Sequence, residues 1–196
     1  MNYTTLQKLK SRFYFNNQDL QNILELTPES ARVISSRHTK DGFFIRLKRD
    51  FYVLNENWGR FSFEDFLKTA NLILVPSYVS FLTALSFYNL TNFAQQDVFE
   101  SASLRRSLKT VINQRTTFSY CKINNLYYFD FIKRGDIFIA TPEKAFIDSV
   151  YLYSYGKYPV DFTAVNIDKL DKNRIAELIK VFPDKTKDIA RKLCGI

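Results

Sequence analysis

Residues 27–54 read TPESARVISSRHTKDGFFIRLKRDFYVL. The stretch changes period halfway, and that change decides the fold of the first part of the chain. Thr27 is a good N-cap, Pro28 suits the first helical position because its missing N–H has no partner to lose, and Gly42 supplies a left-handed stop. A helix is expected between them. At about 100° per residue Ala31, Ile34 and His38 fall on one side, with Arg32, Ser36, Thr39 and Lys40 spread across the other. From Phe43 two short apolar and aromatic runs follow, separated by Lys48, Arg49 and Asp50, which reads as a hairpin with a charged tip. A tight turn needs residues that tolerate its backbone geometry. It does not need Arg46, Lys48 and Arg49, so these cations need an explanation outside the hairpin.

Upstream, residues 5–14 read as a helix with Leu6, Leu9 and Phe13 inward and Lys8, Lys10 and Arg12 outward. NNQDLQNILEL reads as a second helix, with Asn17 as N-cap and Leu20, Ile23 and Leu24 on one face. Residues 1–56 therefore carry three short helices and a basic hairpin, the order of a winged helix-turn-helix. In that arrangement the third helix offers Arg32, Ser36, Thr39 and Lys40 to base edges and phosphates. Arg46, Lys48 and Arg49 neutralise phosphates beside the groove. His38, on the apolar side, is expected to be a packed structural histidine.

Residues 57–196 read as a second domain. The stretch NENWGRF has the composition of a linker, although Trp58 and Phe61 suggest packing. Ser62 and Asp65 resemble a capping box, and PSYVSFLTALSFYNL reads as a helix opening at Pro76. Strands are expected in DVFESAS, TTFSYCKI, LYYFDFI and DIFIAT, with a hairpin turn at Asn124-Asn125 and another at Gly135. A helix restarts at Thr141 and Pro142, and Lys172 to Leu193 gives two more, broken at Pro183. The fold class expected is α+β, a winged helix-turn-helix followed by a mixed helix and antiparallel-sheet domain.

Two segments of this second domain, PSYVSFLTALSFYNL (76–90) and IATPEKAFIDSVYL (139–152), resemble the C-terminal domain of AbiEi-type antitoxins of bacterial type IV toxin-antitoxin (abortive infection) systems. The likeness in motif and domain order covers nearly the whole chain, and the last thirty or so residues carry no motif of that family. It implies an autorepressor that binds inverted repeats in its own promoter through the first domain. The second domain then counteracts a nucleotidyltransferase-like toxin. Carried over by position, the DNA-binding residues are Arg32, Ser36, Thr39, Lys40, Arg46, Lys48 and Arg49, and the antitoxin motifs hold Tyr78, Ser80, Glu143, Lys144 and Asp148. The family usually has Arg-Gly at the wing turn; here Arg49-Asp50 brings a negative charge beside the expected phosphates. The Thr-Pro-Glu-Lys motif also has a purely structural reading, as an N-cap, a first-turn proline and an acid against the helix dipole, with Lys144 and Asp148 paired on the surface.

Composition narrows the remaining classes. At 196 residues and 46% hydrophobic the chain buries a real core, and a net charge of +8 favours an anionic partner. Asn71 to Gln96 holds no charged residue, yet Pro76 and the asparagines interrupt it, and Ser77, Ser80, Thr83 and Ser86 form a polar stripe at helical spacing. A helix buried in protein fits better than a membrane span. Two cysteines and one histidine cannot make a structural zinc site, and no apolar leader segment opens the chain, so a reducing, cytoplasmic setting is expected. With five glycines there is no Walker loop or dinucleotide fingerprint, and Glu100, Asp130 and Asp136 have no spacing that brings them together. No enzyme, catalytic residue, cofactor or metal is expected. SLRRSLKT, with Arg105, Arg106 and Lys109, reads as a solvated loop or a further set of phosphate contacts. The alternative reading is a DNA-binding regulator whose second domain senses a ligand or mediates dimerisation.

Overall fold

A computed structural model describes residues 8–92 and 97–196. Leu6, on the expected first helix, and Gln96, at the end of the uncharged run, lie outside the described residues. The chain divides into two compact units, Met1–Phe66 with Ile112–Gln114, and Leu67–Val111 with Arg115–Ile196. Helical residues are followed by a hairpin in the first, and a six-stranded sheet with helices makes up the second.

In the first unit the described helical turn at 8–10 stops well short of residue 14, and Phe15 instead enters a sheet. Helix α1 spans Asn17–Leu24, and its cap is Asn16 rather than Asn17: Asn16 Oδ1 accepts the Asp19 N–H while Asp19 accepts the Asn16 N–H, a reciprocal capping box. Glu25, left-handed at φ 53°, ends α1, and two residues later Thr27 caps α2, Pro28–Lys40. Gly42 at φ 78° closes that helix, with the Phe43 N–H donating to the His38 carbonyl at 2.9 Å. Strands β1 (Phe44–Lys48) and β2 (Phe51–Leu54) pair antiparallel, with an irregularity between Arg46 and Lys48. Phe15 exchanges two backbone hydrogen bonds of 2.9 Å with Tyr52, adding a third strand position to this hairpin.

Those elements close over Leu9, Phe15, Leu20, Ala31, Phe44, Tyr52 and Leu54, with Ile23 and Leu24 packed against them. Phe15 is fully buried edge-on to Phe44, with ring centroids 4.8 Å apart. The stretch expected as a linker is instead a short helix, α3 (Asn55–Trp58), because Trp58 is buried against Phe61 and Phe66. Helix α4, Phe63–Ile73, follows, and the division between the units falls within it at Phe66 rather than near residue 56. Its start carries the expected Ser62–Asp65 box, with Asp65 accepting from the Ser62 N–H at 2.9 Å.

The second unit is built on a sheet of order β5-β6-β4-β3-β8-β7. Its strands are β3 (Ser77–Val79), β4 (Val98–Ser103), β5 (Leu108–Ile112), β6 (Thr116–Lys122), β7 (Phe131–Arg134) and β8 (Ile137–Ala140). The sheet is mixed and not antiparallel as expected: β4 runs parallel to β6, and β3 parallel to β8. Two further expectations fail locally. Pro76 precedes strand β3, and helix α5 starts only at Phe81 and runs to Phe87, so the serines at 77 and 80 do not share a helical stripe with Thr83 and Ser86. Asn124-Asn125 does not turn a hairpin; Asn124 caps a 3₁₀ turn over Asn125–Tyr127, since β6 and β7 are not neighbours. Helix α6 (Pro142–Ser154) is buried without a break from Glu143 to Val150, and packs against α5, α7 (Lys172–Leu178) and α8 (Asp184–Cys194). Among the described residues no helix is long and apolar enough to cross a membrane.

His38 provides a pH test of the first unit. Its ring lies edge-on to Phe43 and Phe44, its Nδ1 is buried without a partner, and burial, then the charge of Arg37, holds its pKa below the ordinary value. A base whose folded pKa is depressed takes up its proton more readily when unfolded, so stability is lost as pH falls through the unfolded value near 6.5 towards the folded one. In urea titrations followed by Trp58, the chain's one tryptophan, the midpoint should fall between pH 7.5 and about pH 5.5. The fall should be smaller in His38→Gln, and an equal fall would exclude His38 as a source.

Candidate nucleic-acid interface and the buried motif

Five of the seven expected contact residues of the first unit line one groove of about 590 Å³. Helix α2 supplies Arg32, Ser35, Ser36 and Thr39, one stripe at i, i+3, i+4 and i+7; the hairpin supplies Arg46, Arg49 and Asp50. The start of α1 adds Asn17, Gln18 and Gln21, which the sequence reading missed because nothing in an amphipathic helix says that its N-terminus will face a hairpin. Of the seven expected residues, Arg32, Ser36, Thr39, Arg46 and Arg49 line the groove, whereas Lys40 and Lys48 do not.

Each departure has a local cause. Lys48 folds back over the Phe51 ring, 4.2 Å from its centroid, and burial lowers its pKa. Lys40 lies instead on the exposed arc of α2 with Glu29, Val33 and Arg37. Val33 is 64% exposed, and neither it nor Arg37 figured among the expected contacts. The Thr39 hydroxyl donates to the Ser35 carbonyl at 2.7 Å and so is already engaged.

Ion pairing separates the cations of this unit into two groups. Lys10 pairs with Glu56 at 2.8 Å, Arg60 with the same carboxylate at 3.1 Å, and Arg12 with Asp19 at 2.6 Å. Among the described residues Arg32, Arg37, Lys40, Arg46 and Arg49 make no ion pair; Arg46 only approaches the Lys48 carbonyl, at 3.4 Å. The one carboxylate in the groove, Asp50, is turned inward, accepting the Asn17 N–H at 2.9 Å.

The residues expected in the antitoxin-like motifs sit elsewhere, inside the second unit. Tyr78 and Ser80 are two apart on an extended segment and so face the same way; Lys144 and Asp148 are four apart on α6 and so share a stripe. The four meet. Lys144 Nζ pairs with Asp148 and donates to the Tyr78 hydroxyl at 2.8 Å, while Asp148 Oδ2 accepts from Tyr78 at 2.9 Å and from Ser80 at 2.8 Å. All four are fully buried, so the pair expected on the surface lies in the core. The rings of Tyr78, Phe129 and Phe182 lie within 5.4 to 5.7 Å of the ammonium. Burial pushes the Lys144 pKa down and Asp148 pulls it back; burial, then Asp148, drives the Tyr78 phenol well above its usual range and keeps it a donor. The corner after Ser80 is made by Phe81 at φ 57°, a left-handed conformation rare for a bulky residue, and held here by complete burial.

Glu143, the fifth motif residue, points away from this network and accepts the Asp171 N–H at 3.2 Å, with Arg174 at 3.6 Å. Glu100, Asp130 and Asp136 have different partners, and Asp130 shares Arg174 with Glu143. Glu100 accepts from Tyr158 at 2.8 Å, Asp130 from Thr141 at 2.5 Å and from Arg174 at 2.6 Å, and Asp136 pairs with Lys68 at 2.6 Å. No group of three potential metal ligands occurs among the described residues. The Cys121 thiol is pushed up to about 11 by burial, with Glu100 and Asp148 adding to it, which keeps it protonated. Arg105 donates to the Val75 carbonyl at 2.7 Å, and Lys109 lies on β5 rather than in a loop.

Removing one member of the buried pair leaves the other charged without compensation, so Asp148→Ala should cost about 3–5 kcal/mol of stability. The double change Lys144→Met, Asp148→Leu should cost clearly less than the sum of the single changes. Chemical denaturation of the four proteins tests this, and additive losses would mean that the two side chains do not act as a pair.

Compared with protein-family models and with curated proteins the chain matches none, so the likeness to AbiEi-type antitoxins rests on its own motif residues.

Proposed function

We propose that the first unit is a winged helix-turn-helix that binds duplex DNA, and that the chain is a type IV antitoxin repressing its own promoter. Support for the fold reading comes from α1, a three-residue turn, α2 and a hairpin in sequence, with Phe15 completing the hairpin as a third strand position. The observation that carries the function is the set of three arginines at the groove, Arg32, Arg46 and Arg49, without carboxylate partners among the described residues, with the likewise unpaired Arg37 and Lys40 on the exposed arc of α2 beside them. In this reading α2 enters the major groove, and Arg32, Arg46 and Arg49 follow the phosphates with the amides of Gln18 and Gln21. Ser36, Arg37 and Lys40 then lie near base edges, and Val33 suits a thymine methyl.

The antitoxin half of the reading rests on the motif resemblance. Since Tyr78, Ser80, Lys144 and Asp148 are interior, their part in it is to hold the second unit's surface in shape, and the partner of that surface is a nucleotidyltransferase-like toxin.

Replacing Arg32, Arg46 and Arg49 together by Ala should weaken binding to any duplex and reduce the slope of log K against log salt by up to about 3. Changes at Ser36 or Arg37 should mainly alter sequence preference. Unchanged affinity and slope in the triple variant would remove the DNA-binding reading. In cells carrying the toxin, the same triple variant should lose promoter repression and keep toxin rescue. If wild-type protein gives no rescue, the antitoxin reading fails while DNA binding stands.

A further inference from the structure

We infer that Asp50 is a positioning residue for the DNA contacts of the hairpin, its carboxylate fixing the hairpin tip to the start of α1. The inference rests on the DNA-binding reading. Asp50 occupies the second position of the two-residue turn between β1 and β2, at φ 61°, a conformation that Asp and Asn tolerate better than most side chains. Glycine would serve that backbone equally well. What glycine lacks is the acceptor: Asp50 Oδ1 takes the N–H of Asn17, the first residue of α1, at 2.9 Å across 33 positions of sequence. That N–H is one of the four at a helix start with no partner inside the helix, and the positive end of the helix dipole favours a carboxylate there.

The consequence concerns Arg46 and Arg49. Phe15 already holds the β2 side of the hairpin at Tyr52, and Asp50 extends that hold to the turn itself; with the turn loose, the long arginine side chains there would lose order before meeting a phosphate. Anchored at α1, the tip places Arg46 and Arg49 on one side of the same groove as Gln18, Gln21 and Arg32. Asp50 therefore acts on DNA in two opposed ways. Its negative charge repels the phosphates, and its hydrogen bond organises the cations that attract them.

Two variants separate these effects. Asp50→Asn removes the charge while keeping both the turn conformation and a side-chain carbonyl acceptor. Asp50→Gly removes the same charge and keeps the turn, but has no acceptor. Anisotropy titrations of a short mixed-sequence duplex across a salt series should show Asp50→Asn binding at least as tightly as wild type with the same slope. Asp50→Gly should bind about fivefold more weakly than Asp50→Asn, the worth of one hydrogen bond, with a slope shallower by about 1. Trp58 fluorescence verifies that both variants are folded. Equal affinities and equal slopes in the two variants would overturn the inference and leave Asp50 as a charge alone. Absence of duplex binding by wild type is a different result, the failure of the DNA-binding reading itself.

Discussion

The second unit depends on one buried ion pair. Moving Lys144 and Asp148 out of water costs several kcal/mol for each charge, and their mutual attraction offsets this only when the remaining polar atoms are also satisfied. Tyr78 and Ser80 meet that condition, the Tyr78 hydroxyl accepting a hydrogen bond from the ammonium and both hydroxyls donating to the carboxylate. The arrangement binds the strand-to-helix corner at residues 78–81 to the middle of α6, nearly seventy positions away. A register shift by one residue would turn Tyr78 and Ser80 to the other face of the sheet and leave a carboxylate and an ammonium half satisfied in the core. The network therefore selects against alternative pairings of β3 more strongly than aliphatic packing would.

In the first unit the logic of charge is the opposite. There three carboxylates are already committed: Glu56 to Lys10 and Arg60, Asp19 to Arg12 and the Asn16 cap, Asp50 to Asn17. Commitment of these acids leaves the arginines around the groove without a carboxylate partner among the described residues, and a concavity lined by three arginines against one inward-turned carboxylate favours an anion. Neutralising Arg32, Arg46 and Arg49 internally would have been a simple matter of composition, so their isolation is more informative than the whole-chain charge.

What was legible in the sequence was local. Thr27, Pro28 and Gly42 fix the ends of α2 by hydrogen bonds within a few residues, and the apolar runs around Arg49 and Asp50 fix the hairpin in the same way. Pro76 misled because proline before Ser-Tyr-Val serves a helix start and the approach to a strand equally well; the deciding partners of β3, at Ser101–Ser103 and Ile139, are distant in the chain. Parallel pairing of β4 with β6 was hidden for the same reason, and with it the error at Asn124-Asn125. Lys144 and Asp148 could be paired from their spacing, but whether an i, i+4 pair faces solvent depends on what packs over it, and α6 has too even a composition for its pattern to say. Gln18, Gln21 and Arg37 were missed at the groove and on the arc of α2 because facing across a concavity leaves no periodic signal.

The two halves also divide the meaning of a shared motif. When residues common to a family are recognised from sequence, contact with the partner is the natural reading, yet side chains without exposure cannot touch another protein. Tyr78, Ser80, Lys144 and Asp148 are alike in two ways, in lying within the segments that resemble the antitoxin family and in being sealed from solvent. A motif of that kind reports which fold is being held together. In the proposed antitoxin reading, specificity for a particular toxin then belongs to exposed positions, which are free to differ between chains that keep the same interior. The first unit inverts this relation: its core is ordinary, and the proposed DNA-binding reading rests on exposed arginines and one inward-turned aspartate at the hairpin tip.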